Sequence, residues 1–225
     1  MLYFRGCTTT NKLENIFIST EKLLQIANVD YEVLTNENCC GSILLRIGFE
    51  KEAKELIKKN IANFSSEKIL VSCAGCYKTL KEDYKELFDV DLDIQHTSQL
   101  FKKLMDENKL NIKKSDKIVT YHDPCHLTRM EHEFDDPRKL IKSIANLKEM
   151  ENNRENSKCC GAGGGVKSAF PEIANSIAKS RIKEVEATNC ETLITTCPFC
   201  KLNLDENSQI EVIDLSEFLL KNLDL

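Results

Sequence analysis

Ten of the eleven cysteines in this chain fall into two copies of one pattern: a single Cys, then an adjacent Cys-Cys-Gly, then a Cys-x-x-Cys. The first copy is Cys7, Cys39, Cys40, Cys73 and Cys76, and the second is Cys125, Cys159, Cys160, Cys197 and Cys200. The intervening stretches are 31 and 32 residues in the first copy and 33 and 36 in the second. This spacing asks for a duplicated unit that gathers five thiols, twice.

The flanking sequence follows the cysteines. Corresponding cysteines are offset by 118, 120 and 124 residues. Gly48-Phe-Glu-Lys-Glu-Ala53 lies opposite Ala169-Phe-Pro-Glu-Ile-Ala174, and Ile69-Leu-Val-Ser-Cys73 opposite Leu193-Ile-Thr-Thr-Cys197. Ile94-Gln-His-Thr-Ser98 lies opposite Val212-Ile-Asp-Leu-Ser216. Two units are expected, residues 1–110 and 111–225, joined through the polar stretch Lys109–Ser115.

Short runs rich in β-branched and aromatic residues read as strands at Leu2–Phe4, Lys68–Val71, Leu92–Gln95, Lys117–Tyr121, Thr192–Thr195 and Glu211–Ile213. Helical apolar spacing covers Ile43–Phe64, Val166–Ala187 with Pro171 as a break, and Ser98–Met105 with Ser98 as cap. Alternating strands and helices imply an α/β fold, here a pseudo-two-fold tandem repeat of two Rossmann-like parallel-sheet units. Ligands of such sheets gather beyond the carboxyl ends of the strands. Cys7, Cys73, Cys125 and Cys197 each follow a predicted strand, so the single Cys and the Cys-x-x-Cys of one half are expected on one face.

With 225 residues and 41% hydrophobic residues, the chain can build a real core. Its net charge of -5 comes from interspersed Lys and Glu, which argues against nucleic acid as partner. No stretch approaches the roughly 20 apolar residues of a membrane span. Met1-Leu-Tyr-Phe-Arg-Gly-Cys7 is too short and polar for a signal peptide. A cytoplasmic location is expected, where thiols stay reduced and cysteine-rich chains bind metal more often than they form disulfides.

Five thiols are one too many for a structural zinc or a simple cubane iron–sulfur cluster, each of which takes four. Neighbouring side chains diverge, so Cys39-Cys40 and Cys159-Cys160 are poorly placed to grip one iron. They can ligate two irons of one extended cluster that opens to substrate. Gly41 follows the first pair; Gly161, Gly163 and Gly164 belong to the run Gly161-Ala-Gly-Gly-Gly165 that opens a predicted helix. These four glycines are candidate cofactor-binding residues, because backbone without a Cβ approaches closely and N–H groups can donate to cluster sulfides. No nucleotide is expected.

The remaining polar residues carry less. His122 and His126 flank Cys125 and are candidate catalytic residues, as proton donors to a leaving thiolate; the plainer role is bracing the loop. His96, equivalent to Asp214, is expected to cap or brace a loop, and His132 to be exposed and inert. Arg46 and Arg129 can bind an anionic group or serve as packing residues. Cys190, outside the repeat, is expected to be a semi-buried structural thiol.

Four segments, Asn38-Cys-Cys-Gly-Ser-Ile-Leu-Leu-Arg-Ile-Gly48, Tyr121-His-Asp-Pro-Cys-His-Leu127, Cys159-Cys-Gly-Ala-Gly-Gly-Gly165 and Thr196-Cys-Pro-Phe-Cys200, resemble the cysteine-rich "CCG" domain of the heterodisulfide reductase family. The resemblance covers nearly the whole chain, and the motifs look like the cysteine-rich half of that family's D-type polypeptide. Relatives include its B-type polypeptide, the thiol:fumarate reductase iron–sulfur subunit, and the iron–sulfur subunits of glycolate, lactate and glycerol-3-phosphate oxidation. It implies two non-cubane 4Fe–4S-type clusters, one per five-cysteine set. A disulfide of the coenzyme M–coenzyme B kind would be cleaved between them, with Cys39, Cys40, Cys159 and Cys160 as catalytic residues. Fused members carry a ferredoxin-like domain first, whereas here the sequence opens close to the first cysteine motif. Electrons are therefore expected from a separate ferredoxin-like partner, the C-type polypeptide of heterodisulfide reductase, or from a flavoprotein. Two other functions stay open: an electron-transfer subunit of a flavoprotein dehydrogenase or thiol:fumarate reductase, and a zinc-binding or cluster-assembly scaffold.

Overall fold

The computed structural model describes residues 1–66 and 68–224. Its first sheet is parallel and holds β1 (Leu2–Phe4), β2 (Lys68–Val71) and β3 (Asp93–His96) in that order. Its second is parallel too, and holds β4 (Ile118–His122), β5 (Asn146–Leu147), β6 (Thr192–Thr195) and β7 (Glu211–Asp214) in the order β5-β4-β6-β7. Helices cover both faces, so the strand interiors are buried on either side, as parallel sheets require. Strand assignments from sequence hold to within a residue at each end. The exception is β5, whose two residues are too short to leave a pattern.

Two predicted helices are each divided. The first runs as Ser42–Arg46 and Glu50–Asn63, parted at Gly48, whose φ of +88° ends the helical path. The second runs as Val166–Ala169 and Pro171–Glu186, with Pro171 in the first turn of the longer piece, where its missing N–H costs nothing. The expected cap Ser98 is corrected. The cap of helix Thr97–Asp106 is His96, whose ring accepts from the Ser98 N–H at 3.2 Å while Gln99 accepts from the His96 N–H at 2.9 Å. Asp214 caps helix Leu215–Lys221 through Ser216 and Glu217 in the same way.

Side chains alternate across each strand, and the alternation sorts them into two cores. Leu2, Phe4, Ile69 and Val71 join Leu193 and Val212 in one cluster, which also contains Cys40, Cys76, Cys160, Cys197 and Cys200. Tyr3, Leu70 and Phe101 join Tyr121, Ile194 and Phe218 in the other. Both cores thus draw on both halves. Helix Glu14–Ile26 packs on helix Leu215–Lys221, and helix Thr97–Asp106 on helix Asp135–Ile144. Within the join, Ile112 bridges Leu223. Among the described residues, no helix is long and apolar enough to cross a membrane.

Candidate metal centre

Every repeated cysteine is set by a strand end, a glycine turn or a helix start. Cys7 follows β1 and opens helix Cys7–Lys12; Cys125 follows β4 and opens helix Cys125–Thr128. Cys73 and Cys197 stand at the N-caps of helices Ala74–Lys78 and Pro198–Asp205, whose first turns carry Cys76 and Cys200. The pairs Cys39-Cys40 and Cys159-Cys160 arrive on loops that turn at Gly41 and Gly161, with φ of +89° and +87°.

All ten line one solvent-open cavity of about 100 Å³. The two halves repeat their contacts. Cys7 Sγ lies 3.5 Å from Cys39 Sγ, and Cys76 Sγ lies 3.3 Å from Cys40 Sγ. In the second half Cys125 meets Cys159, and Cys160 meets Cys200. The members of an adjacent pair thus reach different partners. Cys73 and Cys197 touch across the halves, so the two sets form one continuous thiol surface. Cys190 stays outside it, buried and turned toward the Val185 carbonyl.

Hydrogen bonds among the thiols move their pKa values in opposite directions. Hydrogen bonds from Cys39 and Cys76, with the Ser42 N–H, pull the Cys40 thiol well below its ordinary value. Cys125, Cys160 and the Gly161 N–H, which lies 3.3 Å from the sulfur, do the same for Cys159. Cys197 is lowered by Cys200, by Cys73 and by the N–H groups opening its helix. The donating partners are pushed up, Cys39 to about 11 by its bond to Cys40 and Cys160 to about 12 by its bond to Cys159. Among the described residues no carboxylate lines the cavity; Arg5, Arg46 and His126 are its charged or titratable members besides the cysteines. A sulfur-only donor set suits soft ions and iron–sulfur clusters, and five thiols per half exceed what one zinc or one cubane takes. The residues present fit an iron–sulfur group.

The other expected site residues divide. Gly163 and Gly164 line the cavity. Gly41 and Gly161 are not among the residues that line it, but their N–H groups reach cysteine sulfurs, that of Gly41 on Cys39 and that of Gly161 at 3.3 Å from Cys159. A Cβ on Gly161 would come 2.6 Å from the Ala174 carbonyl, and one on Gly41 would come 3.4 Å from Ile57. Both glycines also serve close helix packing and a left-handed turn. His126 lines the cavity, its imidazole pushed down by burial. His122 does not. It is 1% exposed behind the cysteines, accepts from Arg181 at Nδ1, and is pushed down to about 4 by burial and then by Arg181. That position does not suit the proton-donor role expected of it. Arg46 lines the cavity but is paired with Asp83 at 2.8 Å, and Arg129 is exposed away from it. His132 is exposed, as expected.

Sequence reasoning missed three features. Arg5 lines the cavity with its guanidinium on Glu21 and over the Phe17 ring. Gly75 leaves room for Cys73 and His126, each 3.6 Å from where its Cβ would stand. Two arginines, Arg138 and Arg181, are buried behind the Cys125 loop, 2% and 0% exposed. Arg138 grips Asp123 with two N–H groups and also bonds Glu149. The signal for Arg181 was legible: it sits on the apolar stripe Ala174, Ala178, Ile182, Val185, where a cation needs a buried partner.

Twin parallel sheets presenting ten thiols to one cavity define the chain as a duplicated cysteine-rich protein. It belongs to the cysteine-rich (CCG) domain family, which matches residues 1–81 and 119–205. The D-type polypeptide of dihydromethanophenazine:CoB–CoM heterodisulfide reductase from Methanosarcina acetivorans is 37% identical over 100% of this chain and 59% of its own length. The B-type polypeptide of fumarate reductase (CoM/CoB) from Methanothermobacter marburgensis is 33% identical over 93% of this chain and 42% of its own. The probable iron–sulfur-binding oxidoreductase FadF of Bacillus subtilis is 31% identical over 95% and 32%. The chain thus spans roughly a third to three fifths of these relatives. Among solved structures, glutamate racemase isoform RacE1 from Bacillus anthracis aligns over 98% of this chain and 77% of that one, at 12% identity and a TM-score of 0.42.

Proposed function

We propose that the chain is an iron–sulfur oxidoreductase subunit of the heterodisulfide reductase type, reducing a disulfide between two cysteine-held clusters. The observation that carries this reading is the single cavity lined by all ten repeated cysteines, with Cys73 against Cys197 where the halves meet. Cys7, Cys39, Cys40, Cys73 and Cys76 would hold one group, and Cys125, Cys159, Cys160, Cys197 and Cys200 the other. Five thiolates each, with adjacent cysteines reaching different partners, suit an extended, non-cubane 4Fe–4S arrangement. When bound, such a group supplies single electrons and iron sites for sulfur.

The chain's own residues supply the rest. Reduction of R–S–S–R′ takes two electrons and two protons and yields two thiols; the electrons come from a ferredoxin-like partner protein. Arg5 and Arg46, on a wall without carboxylates among the described residues, favour an anionic substrate, each held in place by its own acid partner. His126 stands on the wall beside Cys125, within reach of a bound sulfur. The adjacent cysteines Cys39, Cys40, Cys159 and Cys160 front the cavity where the disulfide would lie.

A second reading is an electron-transfer subunit serving a flavoprotein or thiol:fumarate reductase, favoured by the 33% identity to the B-type polypeptide of a fumarate reductase. Anaerobic titration of the oxidised, iron-loaded chain with the thiols and disulfide of coenzymes M and B separates the two. A thiol-dependent change in the EPR spectrum supports substrate chemistry here. Clusters that cycle redox states but ignore thiols and disulfides reject it in favour of electron transfer.

A further inference from the structure

The repeat allows the two cysteine sets to be compared position by position. The offset of 118 residues that carries Cys7 onto Cys125 also carries Phe4 onto His122. The offset of 121 that carries Ala53 onto Ala174 also carries Asn60 onto Arg181. In the first half Phe4 packs in the same core as Cys40 and Cys76, and Asn60 donates to the Cys39 carbonyl at 2.8 Å. In the second half Arg181 Nε donates to His122 Nδ1 at 3.2 Å. Its other N–H groups are taken by the Asn152 carbonyl, Glu184 and Ser157. A ring nitrogen of His122 and the sulfurs of Cys160 and Cys200 all lie within 4.8 Å of one another.

That trio has the look of a metal site, but the arginine decides against His122 as a ligand. A guanidinium N–H can only donate, so Nδ1 is the bare nitrogen and the neutral ring carries its proton on Nε2. Ligating histidines show the reverse, donating their second ring N–H to a carboxylate or carbonyl. With Nδ1 accepting, Nε2 has no lone pair to offer and is an N–H donor. Neither buried arginine of the second half is left uncompensated: Arg181 is met by Glu184, and Arg138 by Asp123 and Glu149. At this position the halves differ by one donor, a His ring against a Phe ring.

We propose that His122, oriented by Arg181, is a positioning residue that donates Nε2–H to a cysteine sulfur of the second set and raises the reduction potential of the cluster held there. A hydrogen bond to a cysteine sulfur draws charge from the metal and stabilises the reduced state. The first set, backed by Phe4, lacks it at the equivalent position, so the halves differ in potential and the second is reduced first. This rests on the cluster reading above.

The test is an EPR-monitored redox titration of the anaerobically purified full chain, after iron and acid-labile sulfide have been counted. Cys40→Ser assigns the midpoints by removing the first set's cluster. Two midpoints are expected, and His122→Phe, which copies the first half, shifts the higher one down and leaves the other in place. Arg181→Gln shifts it in the same direction, while His122→Gln, which keeps an N–H donor, holds it near the wild-type value. If His122→Phe fails to load iron, the two glutamine variants make the same comparison. Full iron and sulfide with unmoved midpoints would overturn the proposal alone. A wild-type chain without iron and sulfide overturns the cluster reading, and this with it.

Discussion

His96 and Asp214 occupy one position in the repeat and cap equivalent helices, yet they respond to pH with opposite sign. Burial pushes His96 down to about 4, from an ordinary value of 6.5. Between those values the unfolded chain takes up a proton that the folded chain refuses, so stability falls as pH drops from about 6.5 to 4. Burial pushes Asp214 up to about 7 from 3.8, so the folded chain keeps a proton that the unfolded chain releases, and stability falls as pH rises across that window. His96→Asn keeps a capping acceptor and removes one titration. The urea midpoint of the variant should lose less than that of the wild type between pH 7 and pH 5, with His122 and His126 adding to the slope that remains and Asp214 opposing it. An unchanged loss would show that His96 is not buried as a neutral ring. His96 was legible as a capping residue because it stands opposite Asp214; the direction of the His122 ring was not, since it depends on Arg181, 59 residues away.

At the scale of elements, the strands were readable because short apolar runs precede Cys7, Cys73, Cys125 and Cys197 and the helix caps His96 and Asp214, and the helices because their stripes persist over several turns. The breaks were harder to read. Gly48 divides a stripe that is apolar on both sides of it, and only its left-handed conformation shows why. The glycines beside the cysteines divide by what a methyl would meet. Gly161→Ala puts a Cβ 2.6 Å from the Ala174 carbonyl at a φ of +87°. The left-handed conformation alone costs about 1–2 kcal/mol, so a loss above about 2 kcal/mol is expected in denaturant unfolding. Gly163→Ala meets nothing within 4 Å and should stay within about 0.5 kcal/mol of wild type. Equal losses would mean that the run is constrained by something other than its packing on helix Pro171–Glu186.

Across the whole molecule, the duplication was legible but the way its halves interlock was not. Each apolar stripe shows that a face is buried, without showing which helix covers it. Helix Glu14–Ile26 finds its neighbour about 200 residues later in helix Leu215–Lys221, where the Ser216 hydroxyl reaches the Ile16 carbonyl. Because both cores draw on both halves, residues 1–110 expressed alone should lack a cooperative thermal transition and expose apolar surface to a hydrophobic dye. A two-state transition in that fragment would show that the repeat is two independent domains. The shared cavity follows from the same interlocking, and the central claim is that this cavity holds two iron–sulfur groups. Counting iron, acid-labile sulfide and zinc in anaerobically purified protein tests it most directly. About eight irons with matching sulfide per chain, four for each five-cysteine set, are predicted. Two zinc ions with no sulfide would contradict the account and leave a thiol scaffold in its place.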